Sequence, residues 1–256
     1  MAPSVSVVLP AFNAADYIRQ SVDELLAFMD ASDIQGEVIV VDDGSTDATA
    51  EHVPTDGRVQ VIRSRRNRGK GAAVRTGILH AGGSVRVFTD AELPYGCEPI
   101  ASAIFYICER GFHAVVGDRT LPGSSYQHER PLRRAVSEVA SFTFRTLVTG
   151  GIYDTQCGFK AFRGDVAEEL FHLCRVDGFA ADVELLYLLL KYRLDIKRIP
   201  VRLRYNAGSS VHVIRDSARA ALDIGRMRFN WGRGAYRSER LAEILAADSA
   251  PHTNLA

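Results

Sequence analysis

The sequence lacks any overall charge: 31 Lys and Arg stand against 31 Asp and Glu. A neutral chain has no global field for nucleic acid or a membrane surface. Cysteine is scarce, at Cys97, Cys108, Cys157 and Cys174, and no two form a CxxC pair. In a chain of 256 residues this argues against a disulfide framework and for reduced thiols in the cytosol. No apolar run approaches the length of a membrane-spanning helix, so a soluble or at most peripheral protein is expected. Met1-Ala2-Pro3 leads straight into a strand pattern, and no signal peptide is expected. No GxGxxG follows the first strand, which argues against a dinucleotide-binding dehydrogenase. No G-x-S-x-G elbow occurs, which weakens serine hydrolysis. Internal repeats and low-complexity tracts are also missing.

What is present is a 46% hydrophobic chain, enough for one large α/β domain or two small ones. Its charges are unevenly placed. Arg63 to Arg75 holds six basic residues and no acid, and Lys197 to Arg240 holds eleven basic against three acidic. Such patches suit phosphate groups or anionic surfaces.

The periodicity predicts strands at Val5–Leu9, Glu37–Val41, Val59–Ile62 and Val85–Thr89, with helices over Ala14–Met29 and Gly69–Ala81. Thr46 or Ser45 is placed to cap the helix after the second strand. Alternating strands and helices give a parallel sheet with right-handed crossovers. Further on, the pattern predicts a helix to Arg110 and a strand at Ala114–Val116. A polar loop over Thr120–Arg130 precedes a long helix over Pro131–Val148. Helices near Asp165–Leu173 and Asp182–Tyr192 come before a strand at Ile196–Leu203, and an amphipathic helix covers Ser217–Asn230. The residues from 237 to 256 read as a flexible tail.

Ligands of such sheets sit beyond the carboxyl ends of the strands. Asp42-Asp43-Gly44-Ser45 and Asp90-Ala91-Glu92 both fall there. Two carboxylates one residue apart at a strand end point to one side and can hold a hard divalent cation shared with phosphates; a turn with two solvated acids is the plain alternative. Asp42 and Asp43 can accept from base N–H groups and ribose hydroxyls, or simply make a turn. Arg65-Arg66-Asn67-Arg68-Gly69-Lys70-Gly71 opens a helix where glycines allow close approach of an anion. A nucleic-acid patch is its rival, weakened by the lack of interleaved aromatics.

Four stretches, Val7-Val8-Leu9-Pro10-Ala11-Phe12-Asn13, Val40–Asp47, Asn67–Gly71 and Asp90–Glu92, occur in the order of a family 2 glycosyltransferase, which the chain resembles. Gly117-Asp118-Arg119, Asp154–Lys160 and Gly178–Leu185 are similar to the polyprenyl-phosphate branch, which includes dolichyl-phosphate glucosyltransferases and mannosyltransferases. The resemblance spans roughly residues 4–230. It implies an α/β GT-A fold, a mostly parallel Rossmann-like sheet flanked by helices. One domain over 1–236 would comprise a nucleotide-sugar half, 1–96, and an acceptor half, 97–236.

The resemblance also implies roles. Pro10, Phe12, Asp42 and Asp43 would line the nucleotide pocket, with Lys70 on a phosphate or the nucleotide, and Asp90, Ala91 and Glu92 against the nucleotide sugar. Asp90 and Glu92 would be the ligands of Mg²⁺ or Mn²⁺. Arg119, Arg130, Arg133 and Arg134 would grip an acceptor phosphate, since a guanidinium makes two parallel bonds to it. Asp154 and Asp182 are the catalytic candidates; Asp182 and Glu184 have structural readings too, and Cys157 reads as a packed thiol. Departures are Ala14 and Ala15 where the family often has acids, Glu92 where it commonly has Asp, and no basic residue after Gly208-Ser209. Arg202, Arg204, His212 or Arg215 would have to compensate.

The expected reaction is inverting, metal-dependent transfer of a hexose from a nucleotide sugar, leaning to UDP-glucose with GDP-mannose open, to a polyprenyl phosphate. Transfer to a soluble small molecule or its phosphate is the alternative, and a non-catalytic nucleotide-sugar-binding subunit a lesser one. A cytoplasmic protein is expected, with peripheral membrane contact at the inner face and homo-oligomerisation left open, and no nucleic-acid partner.

Overall fold

The computed structural model describes residues 3–124, 154, 157–178, 180–204 and 213–248, without the side chains of 213–221. Strands β1 (Val5–Ala11), β2 (Gly36–Asp42), β3 (Val59–Arg63) and β4 (Val85–Phe88) alternate with helices α1 (Ile18–Ala31), α2 (Thr49–His52) and α3 (Lys70–His80). Then come α4 (Glu98–Ile104), which runs into a π-helical turn at Phe105–Glu109, and β5 (Ala114–Asp118). Next are β6 (Lys160–Arg163), α5 (Gly164–Leu173), α6 (Ala181–Lys191), β7 (Ile196–Pro200), α7 (Val213–Gly232) and α8 (Glu239–Asp248).

Among the described residues the sheet has seven strands in the order β3-β2-β1-β4-β6-β5-β7. The pairs β1–β2, β1–β4, β2–β3 and β5–β7 are parallel. Strand β6 runs antiparallel to both β4 and β5. The chain builds outward from β1 to β3, then returns to place β4 on the other side of β1. That reversal opens a crevice beyond the carboxyl ends of β1 and β4.

Each strand alternates its apolar side chains between two layers. Val5, Val7, Leu9, Val38, Val40, Val85 and Val87 meet α1 and α4 through Ile18, Val22, Leu25, Met29 and Ile100. Val8, Ile39, Val41, Phe88 and Phe162 face α3, α5 and α6 through Ile78, Val166, Leu170 and Leu186. Side chains buried on both faces explain why β1 and β2 read as continuous apolar runs. Each fully buried aliphatic side chain here stabilises the fold by about 1.5–3 kcal/mol.

The structure departs from the sequence reading at four places. Strand β4 ends at Phe88, and Asp90–Leu93 is a turn closed by Leu93 N–H donating to Asp90 O at 2.9 Å. Asp90 and Glu92 are therefore not alternating strand residues. Strand β6, antiparallel and only four residues long, had no period of its own to announce it. The segment read as a tail from 237 contains α8, whose Leu241 is fully buried. Asp248 ends that helix and accepts from Arg163 Nη2 at 2.7 Å, with His113 Nε2 at 2.9 Å. Neither Thr46 nor Ser45 caps α2; Asp47 Oδ1 accepts from Thr49 N–H at 3.0 Å instead. The long helix over Pro131–Val148 and most of the loop before it lie outside the described residues.

Candidate active site

The crevice has one wall made by two zippered loops. After β1, Asn13 N–H donates to Ser45 Oγ at 2.9 Å, and Asn13 Oδ1 accepts from Thr46 N–H at 2.9 Å. Ala14 N–H donates to Thr49 Oγ1 at 2.7 Å, and Ala15 N–H to Asp47 Oδ2 at 3.1 Å. Asn13 adopts φ 51, a left-handed conformation that asparagine tolerates better than most residues. This leaves Phe12 on the rim, 45% exposed, beside partly buried Pro10. Ala14 and Ala15, where the family pattern often has acids, use their backbone amides to hold this wall together.

Asp42 and Asp43 have different work. Asp42 Oδ1 accepts from Ser45 N–H at 2.8 Å, and its Oδ2 lies 3.7 Å from Arg63 Nε. Asp43 is committed to the basic loop: its oxygens accept from Arg68 N–H at 3.0 and 3.1 Å and from Gly69 N–H at 2.7 Å. Burial raises the Asp43 carboxyl, and these amides pull against that rise. Asp43 thus latches the loop to the end of β2 rather than facing outward. Gly69, at φ 107, turns the loop into α3, and a side chain there or at Gly71 would strike the backbone of Val176–Asp177 or the side chain of Ala181. Asp177 answers with ion pairs to Arg68 and Arg75. The two halves of the chain meet at this seam.

Lys70, first residue of α3, pairs through Nζ with Asp90 Oδ1. Burial opposes ionisation of Asp90, but Lys70, then Lys160 and Arg119, hold its carboxyl below the usual carboxylate range. Burial would lower Lys70, yet Asp90 and Asp182 raise it. Both stay charged at neutral pH. Glu92 accepts from the Tyr17 hydroxyl at 3.3 Å. Burial, with Glu92 close by, pushes that phenol above its ordinary value.

Does this donor set fit a divalent cation? Among the described residues no third His, Cys, Asp or Glu joins Asp90 and Glu92. Two carboxylates suit Mg²⁺ or Mn²⁺ if phosphate and water supply the remaining oxygens. Gly158 packs so tightly on Asp90 that a Cβ there would run into the carboxylate. Thr89 Oγ1, next to Asp90, is buried with no hydrogen-bond partner among the described residues. An orphaned hydroxyl at a strand end marks a place that water or a ligand completes. The residues fit.

The β5–β6 side of the crevice carries two more charged pairs. Arg119 and Asp154 share a bidentate bridge: Nε to Oδ2 at 2.8 Å and Nη2 to Oδ1 at 2.8 Å, while Arg119 N–H adds a third bond at 2.9 Å. Burial opposes ionisation of Asp154, but Arg119 holds its carboxyl below the usual range. Lys160, 1% exposed, donates to Asp182 Oδ1 at 2.6 Å and to Cys157 O at 2.8 Å, with its ammonium 5.3 Å from the Phe88 ring centre. Burial pushes the Cys157 thiol up to about 11, so it is a neutral packed group.

Sequence reasoning quoted Lys160 and gave it no role. The signal was there: alternation puts Lys160 on the same side of β6 as Phe162, a buried face, and a buried lysine must be paired. Tyr17 and Gly158 likewise fell within segments read only as a helix and a motif, with no role given to either. Glu184 is structural. Its Oε2 accepts from Arg175 and Val176 N–H, both at 2.9 Å, and its Oε1 from the Tyr236 hydroxyl. Arg204 is engaged elsewhere, with Glu24 and Glu98. Arg202 is exposed. Arg130, Arg133 and Arg134 lie outside the described residues, as do His212 and the side chain of Arg215.

Residues 6–171 match the family described as Glycosyl transferase family 2. The chain belongs to that family. It is a glycosyltransferase with the GT-A fold. The match takes in the two zippered loops, the Asp90 turn, Arg119, Asp154 and Lys160. The family member from Drosophila melanogaster, a dolichyl-phosphate beta-glucosyltransferase, is 33% identical over 224 residues, covering 81% of this chain and 69% of its own. The enzyme of the same name from Dictyostelium discoideum is 29% identical over 249 residues, covering 91% and 76%. The fold matches that of glucosyl-3-phosphoglycerate synthase from Mycobacterium tuberculosis, solved with Mn²⁺, UDP and glucosyl-3-phosphoglycerate. That likeness has a TM-score of 0.68 at 22% identity and covers 88% of this chain and 80% of the other.

Proposed function

We propose that this glycosyltransferase moves glucose from UDP-glucose to a polyprenyl-phosphate acceptor, with inversion at the anomeric carbon and with Mg²⁺ or Mn²⁺. The observation that carries the reading is the Arg119–Asp154 bridge. A general base works best with a pKa near the operating pH. Asp154 is held ionised and receives three N–H groups, so it is poorly suited to take a proton from a hydroxyl. It is well suited to fix a guanidinium in plane. A phosphate monoester is already anionic and needs positioning more than deprotonation. The likeness to dolichyl-phosphate beta-glucosyltransferases supports the same acceptor and donor sugar.

In this scheme Phe12, Pro10 and Asp42 receive the base and ribose, and Asp43 holds the loop that presents Lys70. Asp90 and Glu92 would hold the cation. When bound, it supplies Lewis acidity to the diphosphate oxygens as the nucleotide leaves. Lys70 adds a fixed positive charge beside the same oxygens. Arg119 orients the acceptor phosphate, and Lys160 holds the Asp182 side chain in place through their 2.6 Å bond. Arg130, Arg133 and Arg134 belong to the proposed acceptor side through the family resemblance alone.

A panel of UDP- and GDP-sugars, offered with a short polyprenyl phosphate and with soluble phosphate esters and read by nucleotide release, tests the proposal. Release requiring both UDP-glucose and the prenyl phosphate supports it. Release driven equally by a soluble ester would replace the lipid acceptor.

A further inference from the structure

Helix α7 has two apolar faces, and the fold uses one. Ile224 and Met227 are buried against Val176, Ala180 and Val183. Trp231 sets its ring edge-on to Tyr187 and Tyr192, with centroids 6.0 and 5.8 Å apart. Leu222 and Phe229 do not share in this packing; they are 66% and 62% exposed. The amphipathic pattern therefore splits. Residues 222, 226, 229 and 233 follow helical spacing down a single outward stripe.

That stripe alternates apolar and basic groups. Arg226 is 75% exposed at its side chain and lies 3.3 Å from Asp223 Oδ1. Arg233 is exposed, with its guanidinium carbon 5.2 Å from the Phe229 ring centre. Exposed Arg228 flanks the stripe. Two large apolar side chains held clear of the protein among arginines resemble what an interfacial helix offers a membrane.

We propose that this face docks on an anionic lipid bilayer. Leu222 and Phe229 enter the headgroup–acyl boundary, and Arg226 and Arg233 meet lipid phosphates. Charge complementarity selects this occupant over a second copy of the chain. A two-fold contact of the stripe with itself would set arginines against arginines. The inner face of α7 packs on the start of α6, the turn that carries Asp182. Docking would therefore place the bilayer against the helix that backs the start of α6. Among the described residues no helix is long and apolar enough to cross a membrane, so such a contact would act from the surface. The proposal takes its purpose from the lipid-phosphate reading above, but its test does not depend on that reading.

The test is flotation of the full chain with vesicles of phosphatidylcholine alone or with added phosphatidylglycerol, at low and high salt, without donor or acceptor. Binding is expected only to the anionic vesicles and is weakened by salt. The paired change Leu222→Ser and Phe229→Ser should lower it by roughly 10-fold or more. Arg226→Gln and Arg233→Gln should each lower it about five-fold. All these variants should keep the parent's melting temperature, because none of the four side chains is buried. Absence of binding to anionic vesicles, or binding that the variants leave intact, overturns the proposal. Loss of a dimer on Leu222→Ser with Phe229→Ser, in a protein that ignores vesicles, assigns the face to a second copy instead. Transfer to a short, water-soluble prenyl phosphate is measured in parallel. Transfer without vesicle binding sinks only this surface; vesicle binding without transfer sinks only the acceptor reading.

Discussion

Arg119 and Asp154, 35 residues apart, meet as a planar fork at the carboxyl rim of the sheet, each carboxylate oxygen 2.8 Å from a guanidinium nitrogen. The pair links the end of β5 to the approach to β6. Its effect is to make one unit of two groups that sequence reasoning treated separately, one as a phosphate grip and one as a catalytic candidate.

Arg119→Ala is expected to impair use of the acceptor by about 10- to 100-fold, the ~1.5–3 kcal/mol of a charge-assisted contact, with donor affinity little changed. Asp154→Ala should fall in the same range, and the double variant should be no worse than the poorer single one. Steady-state kinetics with varied acceptor checks this. Additive losses would mean that the two residues act independently.

The same pair fixes a pH dependence. The folded-state pKa of Asp154 lies below the ordinary 3.8, so the stability that the bridge supplies is present above that value. It is lost as the pH falls through the lower folded value. Urea unfolding from pH 7 to pH 3 should therefore show Asp154→Asn less sensitive to acid than the parent. An acid profile that the substitution leaves unchanged would count against a coupled pair.

Asp90→Asn should remove most turnover while leaving the melting temperature near the parent's, since the lost carboxylate faces Lys70 at a half-open site. Glu92→Asp, one methylene shorter, should be milder. Calorimetric titration of Mn²⁺ with UDP gives the readout beyond activity: Asp90→Asn should weaken their joint binding. Unchanged binding would remove Asp90 from the metal site.

Glu184→Ala should act on stability. It strips the acceptor from two backbone N–H groups and the Tyr236 hydroxyl inside the protein. Each buried donor left unpaired costs about 1–3 kcal/mol, so a loss of roughly 3 kcal/mol is expected in urea unfolding. A stable variant with normal unfolding but no turnover would instead make Glu184 part of the chemistry.

The parallel half of the fold was legible because β1, β2 and β4 are short apolar runs separated by helical periods, the pattern of strands covered on both faces. Strand β6 was not, because four residues beginning with a lysine carry too little pattern. Helix α8 was hidden for a different reason: only Leu241 of its residues is fully buried, so its apolar stripe is thin. At the site, sequence order brought Lys70, Asp90, Arg119, Asp154 and Asp182 into view. Pairing was not readable. The exchange of Lys70 with Asp90, of Lys160 with Asp182 and of Asp43 with the loop amides depends on contacts across 20 or more residues.

The central claim is that this site transfers glucose to a lipid phosphate, and one measurement bears on it most directly. Purified full-length chain is mixed with UDP-glucose, Mg²⁺ or Mn²⁺ and a polyprenyl phosphate, and the lipid product and released UDP are quantified together. The account predicts UDP release that requires the prenyl phosphate, matches the glucosylated lipid mole for mole, and stops when a chelator removes the cation. UDP release that ignores the lipid, or that a soluble phosphate ester drives as well, would contradict it.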